Sequence, residues 1–351
     1  MKNIVIIGGG FAGAYITKKL EKNKDFNITL IDTKNYYEFT PGILRTLVYP
    51  KHAKKIQILH TNYLKKSRVL VEHVRKITDK EAITNNHKVK FDYLIICSGS
   101  SYNAPFKEKD LINLTRTKHI RDYHEELEKA KRIVIIGGGI VGTELTGEVI
   151  DFYKKEKSKE ITIIHKHDKL MERNNKKTAK YTEKFLKKHN VNIIYNEKAL
   201  SYKNNLVKTD KNREIKADLI FLCTGITPNS EFIPKNWLNN TNQVNVNEFF
   251  QVSDNKNNKQ YKNIFAAGDI TSIKEEKLAQ NAEIHAKHVI KNLKLLENNQ
   301  ELKPYRPDKR IMVISLGKFN GVFEYKNLVI TGLFPGLLKS LIEWKTMIRY
   351  K

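Results

Sequence analysis

The chain has 351 residues, of which 40% are hydrophobic and 29% are charged, and its formal net charge is +26. This length provides for two or three domains with a substantial core, and no run approaches the roughly 18 apolar residues of a membrane-spanning helix. The charge has three explanations: lysines scattered over a solvated surface, attraction to an anionic membrane, or non-specific nucleic-acid binding. Because no basic run is interleaved with aromatic residues, no specific nucleic-acid site is expected.

The N-terminal apolar stretch is short and runs directly into a glycine-rich turn, which is typical of a core strand rather than of a secretory signal. Lys2 follows Met1, so N-myristoylation is not expected. Cys97 and Cys223 are far apart and form no C-x-x-C motif. We therefore expect a cytoplasmic protein made in a reducing compartment, without a metal centre.

The first apolar run, residues 4–7, is followed by Gly8, Gly10 and Gly13 in the spacing G-x-G-x-x-G. In this motif the first glycine allows a tight turn, the second lets the backbone approach a pyrophosphate, and the third lets the helix pack on the strand. The N-terminus of that helix directs N–H groups and partial positive charge at the phosphates. Asp32 ends the next apolar run, ~20 residues further on, where an acid binds a ribose hydroxyl. This segment is predicted to be a Rossmann-like dinucleotide-binding fold.

The same pattern recurs after a second apolar run, residues 133–136. Its glycines are Gly137, Gly139 and Gly142. The strand that matches the one before Asp32 ends here in His165 and Lys166 instead of an acid. An acid at this position favours NADH, because it accepts a hydrogen bond from the 2′-hydroxyl and repels a 2′-phosphate. Its absence leaves NADH and NADPH both open, and solvated turn residues explain this pair equally well.

Each half closes on a buried strand that ends in small residues, Ser98-Gly99 in the first and Thr224-Gly225 in the second. A third such strand, residues 264–267, ends in Gly268-Asp269. Small residues at a strand end let the backbone pass close to a ligand. The repeat therefore extends over a whole domain and is longer than the glycine loops.

The predicted fold class is α/β, with two Rossmann-like dinucleotide-binding domains and a small C-terminal α+β element. The first domain is expected to be discontinuous, over residues 1–104 and 228–300, because a strand of its type returns late in the chain. The second domain is expected over 105–227. The C-terminal element, 301–351, is expected to end in an amphipathic helix.

The glycine loops, the strand-glycine turns and the sequence IFAAGD at 264–269 resemble the flavoproteins with two dinucleotide-binding domains. Within that group the chain is most similar to the apoptosis-inducing-factor-like quinone reductases of the ferroptosis-suppressor type, to which type II NADH dehydrogenases are related. The resemblance covers essentially the whole chain. Its more specific stretches are GTEL at 142–145, KLAQNAEIHA at 277–286, ISLG at 314–317 and WKTM at 344–347.

The resemblance implies FAD in the first fold and NAD(P)H in the second. It assigns Asp32 to the adenosine ribose of FAD, Asp269 to the ribityl chain, and Arg45 to a place near the flavin. It makes Lys277 and Glu144 the catalytic residues, beside the flavin ring and the nicotinamide respectively. The remaining cofactor-binding residues are expected to be Gly8, Gly10, Gly13, Ser98, Gly99, Gly137, Gly139, Gly142, His165, Gly225 and Gly268.

Simpler explanations exist for some of these residues. Asp269 also suits a helix N-cap, and a carboxylate such as Glu144 is favoured in the first turn of a helix by the dipole alone. Lys277 can equally be one more surface lysine of a lysine-rich chain. Glu148, one turn after Glu144, is expected to be a solvated or paired helix residue.

The electron acceptor is constrained by what the chain lacks. The segments that directly follow the first glycine loop and Asp32 contain no cysteine, which argues against disulfide and sulfide chemistry. A membrane quinone and a small redox protein such as a ferredoxin remain. From Phe334 apolar residues recur at helical spacing, with basic residues between them and Trp344 near the end, as in helices that lie in a membrane interface. A helix docked on the core or in a dimer interface would show the same pattern.

The sequence thus predicts an FAD-dependent NAD(P)H:quinone oxidoreductase, in which hydride passes from the nicotinamide to flavin N5 and two electrons pass on to a quinone. One alternative is an NAD(P)H:ferredoxin or rubredoxin reductase. Another is a basic nucleic-acid-binding or signalling flavoprotein with structural FAD. Peripheral contact with an anionic membrane at the cytoplasmic face is expected through the C-terminal helix. A homodimer is left open.

Overall fold

The computed structural model describes residues 1–103, 105–108, 112–154, 159–308 and 311–351. The domain boundary predicted at residue 104 lies outside these residues. The α-helices are α1 (Phe11–Leu20), α2 (Ile43–Val48), α3 (Ala53–Ile56), α4 (His60–Tyr63), α5 (Asn113–Lys129), α6 (Ile140–Tyr153), α7 (Lys176–Lys188), α8 (Ala279–Glu297) and α9 (Leu333–Ile348). Short 3-10 turns lie at Thr40–Gly42, Pro50–His52 and Lys235–Trp237.

The largest sheet has six strands, which in spatial order are Gln251–Asp254, Lys259–Ala266, Tyr93–Ile96, Lys2–Ile7, Phe26–Asp32 and Arg68–Val71. All neighbouring pairs are parallel except the first, which is antiparallel. Its central strands are apolar without interruption because both of their faces are buried; Ile4, Leu94 and Ile264 are fully buried. The chain therefore returns after residue 251 to the sheet that it began at residue 2.

The second parallel sheet repeats this plan with four strands, in the order Asn192–Tyr195, Glu160–His165, Arg132–Ile136 and Leu219–Leu222. Its buried isoleucines, such as Ile135 and Ile163, join the same core as the first sheet. In both sheets the strand before the glycine loop lies between the strand of the small-residue turn and the strand that ends in Asp32 or His165. The predicted α/β class with two Rossmann-like folds is confirmed.

Several small antiparallel sheets accompany the two parallel sheets. Antiparallel sheets are formed by Val74–Ile77, Glu81–Thr84 and Lys88–Lys90, by Ala199–Lys203, Leu206–Thr209 and Glu214–Lys216, and by Tyr36–Glu38 with Gln57–Leu59. Ser100–Ser101 pairs antiparallel with Thr227–Pro228. The chain thus leaves the first sheet and returns towards it through two adjacent strands.

The C-terminal element is an antiparallel sheet of Ile311–Ser315, Gly321–Tyr325 and Leu328–Thr331, covered by α9. Helix and sheet approach closely at Gly336, where an added Cβ would lie 2.7 Å from the backbone nitrogen of Asn320. Met347 is buried on the same helix. Among the described residues no helix is long and apolar enough to cross a membrane.

Candidate active site

The first glycine loop is built around three glycines with different tasks. Gly8 has φ +97°, and an added Cβ on Gly13 would lie 1.8 Å from the carbonyl oxygen of Gly8. Gly10 differs: no described atom lies within 4 Å of the position its Cβ would take, and it precedes the first turn of α1. Gly8 and Gly13 are therefore required by the turn, whereas Gly10 leaves an open cradle at a helix N-terminus that fits a phosphate.

Asp32 lies beside this loop at the end of its strand. Its Oδ2 accepts a hydrogen bond from the backbone N–H of Gly9 at 3.0 Å and lies 3.1 Å from Nε2 of His60. The Tyr63 hydroxyl lies 2.7 Å from Nδ1 of His60, so we assign the proton to Nε2, which donates to the carboxylate. Burial pushes the pKa of Asp32 upward, but the His60 hydrogen bond and the nearby Lys34 charge outweigh it, so the pKa is lowered and Asp32 stays ionised.

The second glycine loop has the same geometry. Gly137 has φ +113°, an added Cβ on Gly142 would lie 2.0 Å from the oxygen of Gly137, and Gly139 faces space that no described atom occupies within 4 Å. His165 takes the place of Asp32, because its Nδ1 accepts the N–H of Gly138 at 3.0 Å. Burial is the largest influence on the pKa of His165 and lowers it, so the ring is neutral at neutral pH.

A cavity of about 460 Å³ opens beside the second loop. Gly137, Gly139 and His165 form one wall, and the small residues Thr224 and Gly225 form another. Gly225 has φ +110°, and no described atom lies within 4 Å of where its Cβ would be. This volume and its glycine-lined backbone fit the second dinucleotide.

Ser98, Gly99 and Gly268 lie where strand ends of the first sheet meet. The Ser98 hydroxyl donates to the carbonyl oxygen of Asn229 at 2.8 Å, and Gly99 has φ +64°. Gly268 has φ +83°, and its N–H donates to Nδ1 of His285 at 3.2 Å. The loop that carries Asp269 is therefore held by a buried histidine.

Asp269 is paired with Lys107, which the sequence did not single out. Its Oδ2 accepts hydrogen bonds from the Ser100 hydroxyl at 2.6 Å and from Nζ of Lys107 at 3.1 Å. Burial alone would raise the pKa of Asp269, but the Lys107 charge and the Ser100 hydrogen bond lower it below its usual value. Asp269 is thus an ionised carboxylate, and a cofactor hydroxyl at this place would compete with Lys107 for it.

Lys277 is partly buried, with its Nζ donating to the carbonyl oxygens of Thr271 at 2.6 Å and Ile273 at 3.1 Å. Burial lowers its pKa, although the charge of Asp269 acts against this. The ammonium is therefore held in one position beside Asp269. It is not an ordinary surface lysine.

Arg45 forms a bidentate ion pair with Glu148. Its Nη2 and Nε lie 2.9 and 3.1 Å from the two carboxylate oxygens, and the pair joins α2 to α6. Glu148 is paired, in line with one of the two states expected for it. The contact of Arg45 with the flavin stays a prediction.

Glu144 is buried on α6 and faces the C-terminal element. Its Oε1 accepts the backbone N–H of Ser315 at 2.8 Å and pairs with Nζ of Lys339 on α9. Close packing brings these segments together, since a Cβ on Gly147 would lie 2.6 Å from the Cα of Leu316. Neither Ser315 nor Lys339 was identified from the sequence as a partner of Glu144.

Both cysteines lie beneath the glycine loops. An added Cβ on Gly13 would lie 3.2 Å from the Cβ of Cys97, and one on Gly137 would lie 2.3 Å from the carbonyl oxygen of Cys223. Both thiols are free, and burial raises the pKa of each. They therefore lack the thiolate character that disulfide exchange requires. In the part of the chain that the structure describes, no cluster of three or more His, Cys, Asp or Glu side chains could hold a metal ion.

Two Rossmann-like folds with two open glycine cradles, an ionised strand-end carboxylate and a second cavity define an FAD-dependent NAD(P)H oxidoreductase. The chain belongs to the pyridine nucleotide-disulphide oxidoreductase family, whose model matches residues 2–286.

Similar proteins agree with this class. Apoptosis-inducing factor homolog B of Dictyostelium discoideum is 31% identical, over 95% of this chain and 92% of the relative. Ferroptosis suppressor protein 1 of Xenopus tropicalis is 28% identical, over 96% of this chain and 92% of the relative. The resemblance stated from the sequence is confirmed.

Solved structures share the fold. NDH2 of Plasmodium falciparum, in complex with NADH, superposes with a TM-score of 0.81 at 17% identity, over 99% of this chain and 96% of that one. The sulfide:quinone oxidoreductase of Aquifex aeolicus superposes with a TM-score of 0.83 at 19% identity, over 99% and 92% of the two chains. The fold is thus shared along nearly the whole length of both chains.

Proposed function

We propose that the chain is an NAD(P)H:quinone oxidoreductase that works at a membrane surface. The observation that carries this proposal is the double role of α9. On its inner side, Lys339 pairs with the buried Glu144. On its outer side the helix exposes a continuous apolar stripe. An apolar acceptor dissolved in a membrane would therefore meet the protein close to the site.

The stripe follows the helical period. Its members are each between 48% and 60% exposed: Leu333, Phe334, Leu337, Leu341, Trp344 and Ile348. Leu328 of the adjacent sheet and Phe319, in the turn between its first two strands, are also exposed. So many large apolar side chains on one face mark an interaction surface, and the net charge of +26 suits an anionic bilayer at the cytoplasmic face. A second copy of the chain is the competing occupant.

The residues of the site have separate tasks under this proposal. The first fold holds FAD, with the pyrophosphate at Gly10 and α1, the adenosine ribose at Asp32 and the ribityl chain at Asp269. The second fold holds NAD(P)H at Gly139 and α6. Bound FAD supplies hydride acceptance and two-electron transfer to the acceptor. Lys277 places positive charge beside the flavin, and Glu144 orients the nicotinamide.

The predicted domains, 1–104 with 228–300, 105–227 and 301–351, are part of the same proposal. The sheets support it, because the strand at Lys259–Ala266 rejoins the N-terminal sheet and the second sheet lies wholly between. The placement of the cysteines supports an acceptor that is not a disulfide.

The experiment compares electron acceptors on the purified, FAD-loaded chain. NADH and NADPH oxidation is followed with a soluble quinone, with ferredoxin, with rubredoxin and with oxygen in turn. We expect turnover with the quinone to exceed the other three. Flavin that is reduced by NAD(P)H but not reoxidised by quinone would overturn the acceptor. A folded preparation that holds no FAD would overturn the whole proposal.

A further inference from the structure

The second fold has no acid at its strand end, but another acid, Glu172, lines the cavity beside its glycine loop. In the first fold Asp32 accepts the N–H of Gly9 and is itself the strand-end acid. In the second fold His165 accepts the N–H of Gly138 through Nδ1, so the strand end holds the loop without supplying charge. The opposite edge of the same ring, Nε2, lies 3.5 Å from Oε2 of Glu172.

The imidazole of His165 is directed at this carboxylate and is not fully satisfied. Its Nε2 is buried and has no hydrogen-bond partner among the described residues. The other carboxylate oxygen of Glu172 lies 3.7 Å from Nε2 of His167. Glu172 thus lies across the His165 ring from the strand end. It lines the cavity, and its side chain is 31% exposed.

Two other carboxylates line the cavity, but each has a cationic neighbour. Glu197 pairs with Arg213 at 3.1 Å, and Glu276 lies 3.9 Å from Arg173. The ring nearest Glu172 is that of His165, which is neutral because burial lowers its pKa, so no cation faces Glu172 from this ring. Lys166, Lys198 and Arg173 also line it, but all three are exposed, and solvent and salt screen exposed charges more strongly.

We propose that Glu172 determines nicotinamide specificity. Its carboxylate accepts a hydrogen bond from the adenosine 2′-hydroxyl of NADH and repels the 2′-phosphate of NADPH. This inference rests on the second fold being the NAD(P)H site of the proposed function, but not on the identity of the acceptor. In this fold the ribose lies at the end of the strand after the glycine loop, which is where His165 and Glu172 meet. The chain should therefore prefer NADH although its strand end carries no acid.

The test measures binding without turnover. ADP-ribose and 2′-phospho-ADP-ribose are titrated by calorimetry into the FAD-loaded chain and into Glu172→Gln, a change that removes the charge and keeps the shape. We expect the wild type to bind ADP-ribose more tightly. In Glu172→Gln the affinity ratio should move towards the phosphorylated ligand by on the order of tenfold, the effect of one close, partly desolvated charge.

A second variant and a control complete the test. Glu172→Leu should also weaken ADP-ribose itself, because the hydrogen-bond acceptor is lost. Asp168→Asn removes the same charge from an exposed position in the same loop and should leave the ratio within about twofold. A wild type that prefers 2′-phospho-ADP-ribose, a ratio unchanged in Glu172→Gln, or binding of neither ligand would overturn the inference. None of these results depends on whether quinone is the acceptor.

Discussion

Asp32 and His165 occupy matching positions, and each accepts a hydrogen bond from the N–H of the second glycine of its loop. The same contact is thus made once by a carboxylate and once by a neutral imidazole. Asp32 depends on His60 for a second hydrogen bond, and His60 is itself fully buried and held by Tyr63. The strand-end carboxylate of the first fold is therefore oriented by a residue behind it.

Replacing His60 by alanine should weaken FAD binding by on the order of tenfold and destabilise the fold by about 1–3 kcal/mol, because a buried carboxylate loses a donor. FAD retention after dialysis and thermal unfolding are the measurements. Tyr63→Phe removes only the hydroxyl and keeps His60 next to Asp32, so its effect should be smaller. Equal FAD retention in His60→Ala and wild type would contradict the orienting role.

Several side-chain contacts in the site could not be predicted from the sequence. The glycine spacings and Asp32 were predictable because the turn and the strand end are set by residues close in the chain. His60, Lys107 and Lys339 were not, because they lie 28, 162 and 195 residues from Asp32, Asp269 and Glu144. Only tertiary packing joins them, and no local periodicity marks a lysine or histidine for such a contact.

At the scale of elements, two helix contacts connect the parts of the molecule. The ion pair of Arg45 with Glu148 joins α2 to α6, and the pair of Lys339 with Glu144 joins α9 to α6. Both carboxylates are buried. The helix that follows the second glycine loop is therefore attached by its acids to the first fold and to the C-terminal element.

Arg45→Met should destabilise the protein by about 3 kcal/mol, because it leaves Glu148 buried without its cation. The double variant Arg45→Met/Glu148→Leu should recover part of that loss. Chemical unfolding measures both. The flavin absorbance spectrum separates the two roles of Arg45: a spectral change in Arg45→Met that Glu148→Gln does not reproduce would show direct contact with the flavin.

Glutamates introduced into the apolar stripe of α9 test whether the stripe binds a membrane. Leu337→Glu/Leu341→Glu should abolish binding to vesicles that contain anionic phosphatidylglycerol, while turnover with a soluble quinone is retained. Both residues are exposed, so unfolding should change by no more than about 0.5 kcal/mol. Leu114→Glu, at an exposed site on α5, is the matched control for added charge. Retained vesicle binding accompanied by loss of a dimer in sedimentation would assign the stripe to a second copy.

For the whole molecule, protonation of the carboxylates and the high positive charge both destabilise the fold as the pH falls. The pKa values of Asp32 and Asp269 are lowered in the fold, against the upward effect of burial, by their partners His60 and Lys107. A carboxylate with a lowered pKa stabilises the fold above its unfolded pKa, and this contribution is lost as the pH falls through the folded value. The lowered pKa of His165 acts likewise, since the unfolded ring takes up its proton first.

The free energy of unfolding should therefore fall steadily from about pH 6 to below about pH 4, where protonation also adds to the net charge of +26. Urea unfolding at a series of pH values measures this slope. Asp32→Asn should be less stable than wild type at neutral pH and should show a smaller slope. A free energy independent of pH over this range would contradict the ionised state of these carboxylates.

The adjacent strands Ser100–Ser101 and Thr227–Pro228 have a further consequence. Entry into and exit from the central segment lie side by side, so its two ends nearly meet. Because its ends are close together, such a segment can be inserted or exchanged without disturbing the strand pairing of the first sheet. One insertion of a similar fold at this place in an ancestral chain would be enough to produce the two-fold plan of the molecule.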